Sequence, residues 1–217
     1  MNQSEIDRLI ESKVHLRKPT GPARRVGHYD VKFPTKIVID GEKHTHSAYN
    51  TWNNMLQRCY TPPTEHLARN YAGCAVADEW MYFSNFLAFW KASHREGYAL
   101  DKDLLYPGNK SYSAEHCLFI PQALNNFTVD HAHARGDFPQ GVYRNTPRGK
   151  FQARINVNGK KKHLGYFDNP QAAHLSWHAA KMQLAMQWKQ ECDLIHPNLH
   201  AGLIRKVQSM LEVLAIS

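Results

Sequence analysis

Cysteine is scarce in this sequence and badly spaced for a framework. Cys59, Cys74, Cys117 and Cys192 are the whole complement, and no two stand in Cys-x-x-Cys spacing, which argues against a zinc ribbon or a disulfide-stapled fold. Buried thiols are the plain reading; a cluster of Cys59, Cys74 and Cys117 around a metal is the alternative. Long apolar runs are missing too. None approaches the length of a membrane span, and the opening MNQSEIDRLIESK has no signal-peptide core, so a soluble, intracellular protein with no membrane partner is expected. Acidic residues are the third shortage. With 19 Asp and Glu against 27 Lys and Arg the net charge is +8, which favours a polyanionic partner, although ribosomal or membrane-surface binding would give the same balance. At 217 residues the chain can bury a real core, in one or two domains.

In one stretch the carboxylates disappear altogether. From Arg144 to Phe167 there is none, while Arg144, Arg148, Lys150, Arg154, Lys160, Lys161 and Lys162 are all cationic. Val142 and Tyr143 begin a strand, and Asn145-Thr146-Pro147-Arg148-Gly149 reads as a turn. Residues 151–157 alternate, with Phe151, Ala153, Ile155 and Val157 on one face and Gln152, Arg154 and Asn156 on the other. Asn158-Gly159 is a strong hairpin signal; Leu164, Tyr166 and Phe167 suit a third strand. Asp168-Asn169-Pro170 opens a helix whose apolar row is Ala173, Trp177, Ala180, Leu184 and Trp188, widened by Leu175, Ala179, Met182 and Met186. A three-stranded antiparallel sheet on one helix is a complete small unit, and its cationic face suits a phosphate-lined groove.

The segments GVYR (141–144), GKFQARI (149–155), the Asn158-Gly159 turn, HLGYF (163–167) and the helix with Gln171-Ala172-Ala173 together resemble the APETALA2-type DNA-binding domain over residues 138–189. That resemblance implies a sheet laid in the major groove of double-stranded DNA, with Arg144 and Arg154 matching the family's strand arginines. Gln152, Asn156 and His163 fall on the same outer face by alternation; Lys160, Lys161, Lys162, Arg148 and Lys150 are candidate phosphate contacts or ordinary solvated cations.

A second informative region precedes it. Trp52, Met55, Leu56 and Cys59 form a helical face, and a later helix carries Trp80, Phe83, Phe86, Leu87 and Trp90, aromatics that read as core. Then come a strand over 99–105, a Pro107-Gly108-Asn109 turn, a strand over 117–120 and a helix after Pro121, a ββα order. With Trp52, Met55, Arg58 and Cys59 upstream in W-x-x-M-x-x-R-C spacing, Leu100-Asp101-Lys102 on the first strand and YSAEHC (112–117) before the second, the region resembles the phage HNH endonucleases. The resemblance implies hydrolysis of DNA phosphodiester bonds assisted by one Mg²⁺ or Mn²⁺. Asp101 matches the metal carboxylate and Asn125 the metal-binding helix residue, with Asn126 the alternative; His116 matches the central Asn. The usual base position holds Lys102, which near its ordinary pKa is charged and cannot accept a proton. Either His116 or Asp103 substitutes, or the ββα unit is a degenerate nuclease. The plain alternative is an exposed charged strand end at 101–103 and an Asn-capped helix end.

At the N-terminus a short helix over 4–13, with Ile6, Leu9 and Ile10 apolar, leads to a basic loop with Pro19, Gly21, Pro22, Arg24 and Arg25 and then a strand over 35–40. His44 and His46 have metal-site spacing but no third ligand nearby. After the break at His196-Pro197-Asn198, a final amphipathic helix with Leu199, Leu203, Val207, Met210, Leu211 and Leu214 either docks on the N-terminal unit or makes a dimer contact. The expected fold is α+β: a basic arm and short strand (1–48), an HNH-like ββα domain (49–127), a linker with His131, His133 and Arg135-Gly136-Asp137 (128–140), the sheet-and-helix domain (141–192) and a C-terminal helix (193–217). Three functions fit: an HNH-type homing endonuclease, phage-encoded and acting in the bacterial host; a catalytically inactive regulator or DNA-masking protein of the same build; or an interaction protein whose basic face meets an acidic protein or RNA. For six to ten phosphate contacts, binding would weaken by roughly three to five decades between 50 and 200 mM salt, which sets the first two apart from a protein partner.

Overall fold

A computed structural model describes residues 1–14, 23–24, 26–129 and 138–212. The basic loop at Pro19, Gly21 and Pro22, Arg25, the linker residues His131, His133, Arg135, Gly136 and Asp137, and Leu214 lie outside the described residues. The fold is α+β, in two compact units: Met1–Asp103 with Gly108–Phe119, and Leu104–Pro107 with Ile120–Ser217.

The first unit is built on aromatic burial. Helix α1 (Gln3–Glu11) starts at a capping box, in which the Glu5 amide donates to Asn2 Oδ1 and the Asn2 amide to Glu5 Oε2, both at 2.9 Å. Ile6 and Ile10 are its buried row. Asp7 accepts from the amide and hydroxyl of Ser47 at the start of α2 (Ser47–Tyr60). The residue before α2, His46, offers that helix no side-chain cap, so α1 supplies one from outside. Strand β1 (Lys36–Ile39) turns at Asp40-Gly41, both with positive φ, into β2 (Glu42–Thr45), a return strand the sequence reading did not anticipate.

Ala48, Trp52, Met55 and Leu56, at helical spacing on α2, are fully buried against Phe83, Phe86 and Trp80. Trp52 Nε1 donates to the Trp80 carbonyl at 2.6 Å, which satisfies the one polar atom of a buried indole. The single helix expected to carry Trp80 and Trp90 is broken in two. Trp80 sits in a 3₁₀ turn, Asp78–Met81, and α4 runs Phe83–Ser93. Between them the chain extends to pair with His28, whose amide donates to Met81 O at 2.7 Å and whose carbonyl accepts from Phe83. Helix α3 (Glu65–Asn70) and strand β3 (Ala75–Val76) intervene between α2 and that turn; β4 (Tyr98–Asp101), β5 (Ser111–Tyr112) and β6 (Leu118–Pro121) follow α4, with β3 pairing β5 and β4 pairing β6. The strand expected over 99–105 stops at Asp101, where side-chain bonds bend the backbone away, and Leu104 and Leu105 are buried outside any strand.

The second unit contains α5 (Gln122–Thr128), the antiparallel sheet β7 (Val142–Asn145), β8 (Lys150–Val157) and β9 (Lys160–Phe167), then α6 (Pro170–Gln187), α7 (Lys189–Ile195) and α8 (Leu199–Glu212). Asn158 and Gly159 take φ of 51° and 78°, the two positive values an Asn-Gly turn demands. Asn169 caps α6 by accepting from the Ala172 amide at 2.7 Å, with Pro170 at the first turn. Ala173, Trp177, Ala180 and Leu184 lie against Val142, Ala153 and Ile155 of the sheet. The expected widening of that row goes the other way: Leu175 and Met186 are 56% and 57% exposed, while His174, Lys181 and Ala185 are buried. Helix α8 packs on α6, with His178 bonded to Val207 O and His200 to Ala185 O, so the second buried row mixes polar groups with alanine. The helix expected to end near Glu191 stops at Gln187 and restarts as α7.

Lys181 is the costliest member of that row. Its ammonium donates to the Phe127 carbonyl in the last turn of α5 and lies 3.5 Å from the Phe127 ring centroid. Burial pulls its pKa down to about 8. The unfolded chain therefore holds a proton that the folded chain releases between about pH 8 and 10.5, and stability rises with pH across that window. Chemical denaturation at pH 7 and pH 10 should show a gain on the order of 3 kcal/mol in the native protein that Lys181→Met lacks. A second test concerns Gly202 on α8, where an added Cβ would lie 2.0 Å from the Leu104 carbonyl oxygen. Helix propensity favours alanine there by about 1 kcal/mol. Gly202→Ala should nonetheless destabilise by roughly 1–3 kcal/mol through overpacking, and a gain in urea midpoint would contradict this close approach.

Candidate nucleic-acid interface

Register decides which side chains share the outer face of the β7–β8–β9 sheet. Directly opposed residues point the same way. Tyr143 opposes Gln152, which opposes Tyr166; Arg154 opposes His163, and Asn156 opposes Lys161. All of these lie opposite the face formed by Val142, Phe151, Ala153 and Ile155. The pairing shifts between Ala153 and Arg154, where Ala153 meets Gly165 and Leu164 is left over. A bulge of this kind is what brings His163 and Tyr166, three residues apart, onto one face. Gly165, inside a strand at φ 139°, is the sequence signal that would have indicated it.

The register separates the expected cations. Arg154 and Lys161 are on the outer face, and Arg148 reaches it from the turn with its guanidinium 4.6 Å from the Tyr166 ring centroid. Lys150 opposes Asn145 with the parity of Gln152, and its ammonium is 3.2 Å from the exposed Asp168 carboxylate, a solvated pair worth little. Arg144 opposes Phe151, and Lys162 opposes Ile155, so both belong to the helix-side face; Arg144 lies 5.8 Å from the Phe151 ring centroid and remains exposed. Lys160 opposes Val157 at the hairpin tip, also with helix-side parity. Arg144 and Arg154, both matched to the family's strand arginines, therefore stand on opposite faces.

At the centre of the outer face is a side-chain chain of bonds. Arg154 Nη2 donates to Gln152 Oε1 at 2.6 Å, and Gln152 Nε2 is 2.6 Å from His163 Nδ1. Gln152 is only 6% exposed although it faces outward, because its neighbours cover it. Arg154 lies over the Tyr143 ring at 5.6 Å, and the His163 and Tyr166 rings are 4.7 Å apart. Tyr143 and Tyr166 were not among the expected contacts; both are partly exposed and supply flat apolar area between the cations.

In the ββα segment, Asp101 ends β4 and one of its carboxylate oxygens accepts from the Asp103 amide at 3.1 Å. Lys102 Nζ donates to Asp103 Oδ2 and to the Asn109 carbonyl, each at 3.0 Å. Asn109 answers by donating to the carbonyls of Lys102 and Ser111. Burial is the largest influence on Lys102 and opposes its charge, but the Asp103 carboxylate, together with Cys74 and Asp101, outweighs it, and the pKa is raised. Lys102 is thus a structural cation that holds the turn and has no lone pair for water. His116 Nδ1 is bonded to Ser113 Oγ at 2.9 Å, which orients its ring. Asn126 Oδ1 is engaged by Gln122, and the Asn125 carbonyl accepts from Thr128. Asp101 and His116 belong to the first unit and Asn125 to the second.

Burial pushes the thiols of Cys59 and Cys117 up to about 12 and that of Cys192 to about 11, which makes them poor nucleophiles and poor metal ligands. Among the described residues no three His, Cys, Asp or Glu side chains are placed to hold a metal ion, so the cysteine cluster weighed from the sequence is not formed. The same holds for His44 and His46; the latter is fully buried, with Nε2 3.1 Å from Glu11 Oε1. No helix among the described residues is long and apolar enough to cross a membrane. No family model matches this chain, and neither do any curated proteins or solved structures.

Removing the Lys102 ammonium should leave the Asn109 carbonyl and the Asp103 carboxylate short of a partner. Lys102→Met should lower the unfolding free energy by roughly 1–3 kcal/mol in urea titrations. An unchanged midpoint would mean that the ammonium does not hold the turn.

Proposed function

We propose that this chain binds double-stranded DNA through the outer face of β7–β8–β9, with the sheet in the major groove. The observation that carries the reading is the register: Arg148, Lys150, Arg154 and Lys161 share one face with Gln152, Asn156, His163 and two tyrosines, and residues 144–167 contribute no carboxylate, Asp168 beside Lys150 being a solvated pair at its edge. Cations spaced along a ribbon match phosphates, and the amide, imidazole and guanidinium groups between them can address base edges. The APETALA2-type resemblance of residues 138–189 points the same way.

A second reading, that of an HNH-type endonuclease, is favoured by the β4–β6–α5 order with Asp101 at the end of β4 and His116 just before β6. In it Asp101 is the carboxylate, His116 takes the proton of water in place of the missing base, and Mg²⁺ or Mn²⁺ is required, as the HNH resemblance implies. The engaged, charged Lys102 weighs against it, and in its absence the chain is a DNA-binding regulator or masking protein.

Affinity for duplex DNA should fall about a hundredfold between 50 and 200 mM salt, as four phosphate contacts predict, and Arg154→Ala should cost roughly 1–3 kcal/mol. Fluorescence anisotropy reads both. Equal, salt-insensitive affinity in the folded variant would overturn the interface, and preference for an RNA duplex or an acidic protein would favour the other partner class. Incubation of plasmid and phage DNA with Mg²⁺ or Mn²⁺ against EDTA separates the two DNA readings. Cutting that Asp101→Ala abolishes, with binding kept, makes the chain a nuclease; binding without cutting makes it a binder alone.

A further inference from the structure

The geometry points to Gln152 as a positioning residue that decides where the proton sits on His163, and so what His163 offers to a base edge; this rests on the sheet face being the DNA interface. An arginine guanidinium only donates, so the Gln152 atom 2.6 Å from Arg154 Nη2 must be the carbonyl oxygen. The amide nitrogen then necessarily faces His163 Nδ1 at 2.6 Å. Since that nitrogen only donates, Nδ1 must be the lone-pair atom, and the ring proton is on Nε2. The orientation of one buried amide is thereby set by one cation, and it sets the tautomer of an imidazole across the strand.

The consequence reaches the surface. His163 is exposed and shares the face with Arg154 across the β8–β9 pair. In the neutral Nε2–H tautomer, its outward nitrogen donates, as Arg154 does. Two neighbouring donors address two acceptors, and a base edge that presents a donor there is disfavoured because one hydrogen bond would be left unmade. The Gln152 amide is 6% exposed and cannot itself cover a base edge. It acts through its two neighbours.

Replacing the amide by a carboxylate reverses the logic. In Gln152→Glu both oxygens accept, so Arg154 keeps its partner while His163 must put a proton on Nδ1. In its neutral form the outward Nε2 then becomes an acceptor.

The test begins with the native full-length chain and needs no variant. Long-range ¹H–¹⁵N correlation of the His163 ring, at a pH where the ring is neutral, should show a protonated Nε2 and an unprotonated Nδ1. A protonated Nδ1 in the native protein overturns the proposal. In Gln152→Glu the proton should move to Nδ1, and selection from a randomised duplex pool should shift preference at one base pair from acceptor-bearing to donor-bearing edges by tenfold or more. A moved proton with unchanged selectivity, when Arg154→Ala does alter selectivity, overturns the role of His163 while the interface stands. Unchanged selectivity in both variants overturns the interface reading itself. Because the native ring spectrum is independent of DNA, failure of the relay and failure of the DNA-binding reading are told apart.

Discussion

The register of β8 against β9 is the constraint on which the proposed interface depends. In a pleated sheet a slip of one residue moves every side chain to the other face. Here the strand is interrupted once, at the Ala153–Arg154 step, and that single irregularity determines the composition of the outer surface. Beyond the bulge Lys161 and His163 face outward; before it Gly165 and Phe167 keep the parity of the core and Tyr166 stays outside. Without the bulge, His163 and Tyr166 would lie on opposite faces, and the contact between Gln152 and His163 would have no geometry to form in. Ala153, fully buried, anchors the step from the other side.

Helix α6 holds that register in place because it is apolar to the sheet and polar to α8. The small residues Ala173 and Ala180 allow the sheet to come close, and Trp177 fills the space between them. Gly141, at φ 81° before β7, has the Trp177 ring 2.0 Å from where a Cβ would be, so the strand entry is fitted to the indole. The helix also carries His174 and Lys181, both buried, and the half-buried His178, each meeting a backbone carbonyl: Gln140, Phe127 and Val207 respectively. Buried polar groups are tolerable when they are satisfied, and a backbone carbonyl with a spare lone pair is a suitable acceptor. The lysine keeps a share of the cost, which is why its pKa falls.

Much of the sheet unit was legible in the sequence because its signals are local. Alternation from Phe151 to Val157, the Asn158-Gly159 turn and the Asn169-Pro170 helix start all act within a few residues and appear where expected. What stayed hidden depends on partners distant in sequence. The exposure of Leu175 and Met186 follows from where α8 packs, and periodicity alone cannot distinguish two apolar rows on one helix. The break between Trp80 and Phe83 is caused by His28, more than fifty residues upstream. Arg144 looked equivalent to Arg154 because both are strand arginines, but cross-strand pairing, which composition does not encode, puts it opposite Phe151.

Lys102 shows how the same residue reads differently once its surroundings are known. From the sequence it is a misfit in a nuclease pattern, a cation where an imidazole belongs. In the structure it is the centre of a small closed network in which Asp103, Asn109 and the backbone between them satisfy one another. Lowering the pKa of such an ammonium enough for base catalysis would require burial without a carboxylate beside it, as at Lys181, whereas Asp103 pushes Lys102 the opposite way. The two lysines bracket what burial does to an amine: with only a neutral carbonyl to meet, its pKa falls, and with a carboxylate beside it the pKa rises. Asp103 is engaged by the Lys102 ammonium, whereas the His116 ring is oriented by Ser113; the outer face of the sheet is separate from this network, since none of its contacts involves residues 101–116.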